Sequence, residues 1–189
     1  MRKALLLSSS IIILLLTVSL YNEWRATGGK AYIGGAFTLV NTHGGEVKDT
    51  DFQGKPLIVY MGYTHCPDIC PMTLTTMSAA LRTLGDDADR VSMIFITLDP
   101  ERDTPQALGN YLVNFDSRIV GLTGSKEAIV NVVKSYKAYA SKTAQTGPDS
   151  YQVDHTGFLY LMDAQGKYVT HFDADVKPET LSKALKDNF

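Results

Sequence analysis

The sequence predicts an α/β domain built on a central mixed sheet flanked by helices. Three observations predict it. Two compact apolar runs, Pro56–Tyr60 (PLIVY) and Val91–Leu98 (VSMIFITL), have the make-up of strands buried on both faces of a sheet. Each run leads into a stretch that reads as a helix. The chain then closes with a hairpin pattern and one more helix.

At the N-terminus, Arg2 and Lys3 precede an apolar run, Ala4 to Leu20, interrupted by Ser8, Ser9, Ser10, Thr17 and Ser19. As a helix rising about 1.5 Å per residue, this run falls just short of the ~30 Å hydrocarbon core. Extension through Tyr21 to Trp24 supplies the missing reach and places both aromatics at an interface. Residues 1–24 are therefore expected to form a single transmembrane helix, with the basic end left in the cytoplasm and the remainder exported. A cleaved signal peptide is the alternative, since Thr17 and Ser19 make a weak small-x-small pattern, although the run is long for one. Either way the domain faces an oxidising compartment. Residues 25–33 read as a linker and 34–189 as one domain, a suitable length for a single core.

Within that domain, Phe37–Val40 reads as a short strand and Asn41–Gly45 as a hairpin turn. From Cys66 to Leu84, the spacing of Ile69, Met72, Leu74, Met77 and Leu81 is helical. Thr104 as N-cap with Pro105 at the first helical position opens a second helix. Ile119–Leu122 is a short strand candidate, and Ser125 caps a helix with Ile129, Val132, Val133 and Tyr136 on one face. Lys142–Gln152 is polar and reads as a loop. Phe158–Met162 and Tyr168–Phe172 flank a turn at Asp163–Lys167, and Pro178 starts a final helix holding Leu181, Ala184 and Leu185. Strand–helix–strand–helix followed by a hairpin and a helix is the thioredoxin-like order.

Composition narrows the function. With 20% charged residues and a formal net charge of −2, the chain lacks the basic excess that phosphate backbones demand, so nucleic acid is not an expected partner. Its 2 cysteines are too few for a disulfide scaffold. Both lie in Thr64-His65-Cys66-Pro67-Asp68-Ile69-Cys70-Pro71, where a buried strand gives way to a helix. Unsatisfied N–H groups at a helix start favour thiolate, the form that attacks disulfides and binds metal. Residues four apart on a helix have Cα atoms about 6 Å apart, so a disulfide is geometrically possible, while the reduced sulfurs can spread around an ion. Soft thiolates select Cu(I), Zn or iron–sulfur clusters, and two cysteines alone cannot hold a cluster. A static disulfide closing so short a loop would constrain the unfolded chain little.

Of the 4 histidines, His43 sits in a glycine-rich turn, His171 alternates along a late strand, and His65 directly adjoins Cys66. His155 precedes the strand Phe158–Met162, a place where thioredoxin-like reductases carry a proline facing their cysteines. That fold analogy favours His155, although a lone histidine before a strand is more often structural, so spacing alone leaves both readings open. Asp99 follows the second buried strand at the end where α/β sheets gather ligand sites, and is expected no nearer than behind the ligands.

The blocks GGAFTLVNTHGGEV, VYMGYTHCPDICPMTL, IFITLDPERDTP, FDSRIVGLTG and YQVDHTGFLYLMDAQGKYVTHF, in this order, resemble the Sco/SenC proteins. These are assembly factors for the copper sites of respiratory cytochrome oxidases, with one N-terminal membrane anchor. A mild departure is Asn41-Thr42-His43, where an acidic residue often opens the turn. The resemblance implies copper ligands at Cys66, Cys70 and His155, giving trigonal Cu(I) with net charge near −1, or Cu(II) with one further oxygen ligand. It implies a copper metallochaperone for the binuclear copper centre of cytochrome c oxidase. Implied partners are the oxidase subunit that carries that centre and a thioredoxin-like reductant or another copper carrier. The chain would be single-pass in a bacterial inner membrane with its domain on the periplasmic, exported side. The alternative is a thiol–disulfide oxidoreductase that uses Cys66 and Cys70 to reduce that subunit's cysteines. A thiol peroxidase, the weakest reading of the same fold, would need a peroxidatic cysteine and rapid peroxide consumption.

Overall fold

In the computed structural model, the structure describes residues 16–19, 32–143 and 151–189. The expected membrane anchor (1–24) and linker (25–33) lie almost entirely outside the described residues, as does most of the 142–152 loop. Among the described residues, no helix is long and apolar enough to cross a membrane. Residues 33–189 form one compact unit.

The strands are β1 (Thr38–Asn41), β2 (Glu46–Lys48), β3 (Leu57–Gly62), β4 (Ser92–Thr97), β5 (Ile119–Thr123), β6 (Ala140–Lys142), β7 (Val153–His155), β8 (Leu159–Met162) and β9 (Tyr168–Phe172). The helices are α1 (Ile69–Leu84), α2 (Pro105–Leu112), α3 (Lys126–Ser135) and α4 (Pro178–Lys186). Seven strands form one mixed sheet in the order β2-β1-β5-β4-β3-β8-β9, with β3, β4 and β5 parallel and β8 antiparallel to β3. The apolar runs are legible here as central strands, since every residue of β3 and β8 is buried. Thr104 and Ser125 cap α2 and α3 as expected, accepting from the N–H groups of Ala107 and Ala128.

Cross-strand register places helices on both faces. Tyr60 pairs with Leu159 and Val59 with Tyr160, so Tyr60 and Tyr160 point to opposite sides. Tyr60 meets Cys70 of α1, and α4 packs against α1. Tyr160 instead meets Tyr136 at the end of α3, ring centroids 5.3 Å apart. The β1–β2 turn explains the departure at Asn41: its side-chain oxygen accepts from the N–H groups of His43 and Gly45, at 2.9 and 3.0 Å, as a carboxylate would.

Two expectations need correction. The helix expected from Cys66 opens only at Ile69, and of its apolar positions Ile69 and Met72 are 40% and 63% exposed. The inward face carries Cys70, Thr73, Leu74, Met77, Ser78 and Leu81. Thr73 and Ser78 are tolerated there because each hydroxyl donates to the carbonyl four residues back, both at 2.8 Å. The polar 142–152 stretch is also not loop from its first residue. Lys142 ends β6, which pairs antiparallel with β7 in a separate two-stranded sheet.

Candidate metal centre

Cys70 lies on the first turn of α1 and is fully buried, while Cys66, in the loop leaving β3, is half-buried. Both are free thiols. The third donor arrives from far along the chain. His155 ends β7, whose pairing with β6 puts it opposite Ala140, and the N–H of Thr156 donates to the Tyr139 carbonyl at 3.0 Å. This small sheet carries the imidazole to the α1 N-terminus, with Nε2 of His155 3.6 Å from the Cys70 sulfur. The two sulfurs and one His155 ring nitrogen all lie within 4.8 Å of one another, and among the described residues they form the cluster able to hold a metal ion.

The imidazole is also oriented. Its Nδ1 lies 3.0 Å from the Thr156 carbonyl, which can only accept, so the neutral ring carries its proton there and leaves the Nε2 lone pair free towards Cys70. Tyr63 meets the ring edge-on, centroids 5.8 Å apart, and its own hydroxyl donates to Gln152 at 2.7 Å.

The two thiols differ. A hydrogen bond from Cys70 lowers the Cys66 pKa to about 4, with the backbone N–H groups of Cys70 and Asp68 assisting against partial burial. Cys70 is pushed well above the ordinary thiol range, because its proton is held by the neighbouring Cys66 sulfur and because it is buried. A reactive thiolate thus sits at the surface with a protonated partner beneath it.

Asp103, which sequence reasoning passed over, fixes the loop that carries Cys66. It is fully buried and accepts from the Thr64 N–H at 3.0 Å, from the Thr64 hydroxyl, and from the Thr97 hydroxyl at 2.6 Å. Its position inside the charged DPERDTP block hid it, since that composition reads as solvated loop. Asp99 touches none of the three donors. It takes the Tyr151 hydroxyl at 2.7 Å and pairs with Arg102, whose guanidinium lies 3.7 Å over the Tyr151 ring. It therefore braces the segment leading to His155, behind the three donors.

The other histidines stay apart from the cluster. His43 is exposed in the β1–β2 turn. His65 turns to the Thr64 hydroxyl at 3.0 Å, and His171 packs at a tilt against Phe158 with centroids 4.4 Å apart.

The SCO1/SenC family model matches residues 25–189. The chain belongs to the SCO1/SenC family. Protein sco1 of Schizosaccharomyces pombe is 45% identical over 163 residues, covering 85% of this chain and 62% of that protein, so the chain spans less than two thirds of that relative. The copper-bound structure of Bradyrhizobium japonicum ScoI is 44% identical, covers 83% of this chain and 99% of its own, and superposes with a TM-score of 0.79. A structure of BsSco, described as having a disulfide switch and as a member of the Sco family of cytochrome c oxidase assembly proteins, is 25% identical. It covers 84% of this chain and 94% of its own, with a TM-score of 0.67. SCO1/SenC membership agrees with the mixed α/β sheet and with the resemblance drawn from the five sequence blocks.

Proposed function

We propose that this chain is a copper metallochaperone that binds Cu(I) or Cu(II) through Cys66, Cys70 and His155 and helps assemble the binuclear copper centre of cytochrome c oxidase. The gathering of two sulfurs and one imidazole nitrogen within 4.8 Å carries the proposal. Thiolates are soft donors suited to Cu(I), and imidazole suits both copper oxidation states. The copper held by B. japonicum ScoI and the oxidase-assembly role given for the family of BsSco support the same cargo and destination.

The chain's own groups define how cargo is taken. Cys66 is already thiolate at neutral pH, Cys70 must release its proton as metal arrives, and His155 presents Nε2 without rearrangement. A Cys66–Cys70 disulfide would remove both sulfur donors, so reduction gates loading. The implied partners are the oxidase's copper-centre subunit and a thioredoxin-like reductant or another copper carrier. Arg2 and Lys3 ahead of the Ala4–Leu20 run support an anchor over residues 1–24 and a linker over 25–33. These would hold the domain, 34–189, on the exported face of a bacterial inner membrane. Anaerobic Cu(I) titration of the reduced chain tests the cargo. One equivalent should bind tightly, and Cys66→Ser or Cys70→Ser should abolish tight binding; unaltered binding in either variant would refute the ligand set.

The pairing of an acidic thiolate, Cys66, with a buried protonated thiol, Cys70, favours a second reading as thiol–disulfide oxidoreductase. In that role Cys66 would attack a partner's disulfide and Cys70 would resolve the mixed disulfide. Turnover by metal-free chain that ignores His155→Ala would favour it over copper delivery.

A further inference from the structure

Tyr60 and Cys70 are both fully buried, and the Tyr60 hydroxyl donates to the Cys70 sulfur at 3.5 Å. The neighbouring Thr73 hydroxyl spends its proton on the Ile69 carbonyl at 2.8 Å. The Tyr60 ring lies against Phe95, centroids 5.7 Å apart, an apolar contact that needs no hydroxyl. A buried phenol costs free energy unless its hydroxyl is bonded, so the oxygen needs a reason beyond packing. Its aim at a proposed ligand supplies one. The contrast is Tyr111, farther along the same ring stack, whose buried hydroxyl has no hydrogen-bond partner among the described residues.

We infer that Tyr60 is a positioning residue of the copper centre, its hydroxyl hydrogen-bonding the Cys70 thiolate once the proton has left and the metal is held. The inference rests on the copper reading above. A hydrogen bond to a ligating sulfur stabilises its negative charge and reduces electron donation to the metal. Cys70 is then the weaker donor of the pair and Cys66 the stronger. This asymmetry suits a carrier that must release its cargo, because one Cu–S bond is already softened on the buried side.

The test is the sulfur-to-copper charge-transfer band after Cu(II) is added to the reduced full chain, with a Cu(I) competition titration alongside. Tyr60→Phe keeps the ring and deletes the oxygen. It should move the band to longer wavelength and tighten Cu(I) binding, because the Cys70 sulfur regains its full donation to the metal. Tyr111→Phe, which deletes a buried hydroxyl outside the site, should leave both unchanged. A wild-type band that Tyr60→Phe leaves in place overturns this inference alone. So does a Tyr60→Phe chain that no longer folds, since the hydroxyl would then be structural. Absence of the band in the wild-type chain overturns the copper reading and this inference with it.

Discussion

A Cβ placed on Gly62 would lie 2.6 Å from the Cys70 sulfur and 2.8 Å from the Phe95 ring. Gly62 ends β3 at the point where α1 brings its first turn down onto the sheet, and only a residue without a side chain lets the sulfur sit there. Gly62→Ala should therefore cost about 1–3 kcal/mol of stability through overpacking. It should also weaken copper binding by displacing Cys70. Denaturant unfolding and metal titration of the one variant separate the two effects.

Asp103 organises the same loop from below. Asp103→Ala would leave the Thr64 N–H and the buried Thr97 hydroxyl without their acceptor, while the Thr64 hydroxyl keeps His65 as a partner. At roughly 1–3 kcal/mol for a buried polar group left unpaired, the variant should lose about 1–3 kcal/mol. Urea unfolding checks this, and a loss below about 1 kcal/mol would mean that the network relaxes freely.

The difference between the thiols gives a pH signature. Because Cys66 titrates at about 4, its alkylation by iodoacetamide should be nearly constant from pH 8 down to about 5 and fall only below that. Cys70, buried and protonated, should stay unmodified across the same range. An ordinary thiol would instead lose reactivity about tenfold per unit as the pH drops below its pKa near 8.5. Mass-spectrometric alkylation rates distinguish the two profiles.

Much of the fold was legible because burial writes itself into long apolar runs. PLIVY and VSMIFITL could only be central strands, and Thr104, Ser125 and Pro178 mark helix starts through local chemistry. What escaped depends on tertiary partners. Ile69 and Met72 are apolar yet exposed, while Thr73 and Ser78 bury by bonding their own helix, so apolarity alone does not give the buried face of α1. β6 and β7 are three residues each and stabilised by each other, which leaves little periodicity to read. The cysteines were legible from their spacing at a strand-to-helix junction. His155 needed fold analogy and family resemblance, because nothing local says that position 155 returns to the start of α1. Asp103 left no signal separable from a surface charge cluster.

The central claim is that His155 completes a site begun by the two cysteines, and an anaerobic Cu(I) competition titration of reduced wild-type and His155→Ala chains tests it most directly. Removal of a metal-bonded imidazole should weaken Cu(I) binding at least as much as loss of an outer-shell partner, on the order of 10- to 100-fold or more, with the fold intact by circular dichroism. Equal Cu(I) affinity in the two chains would contradict the account and leave Cys66 and Cys70 as a redox pair.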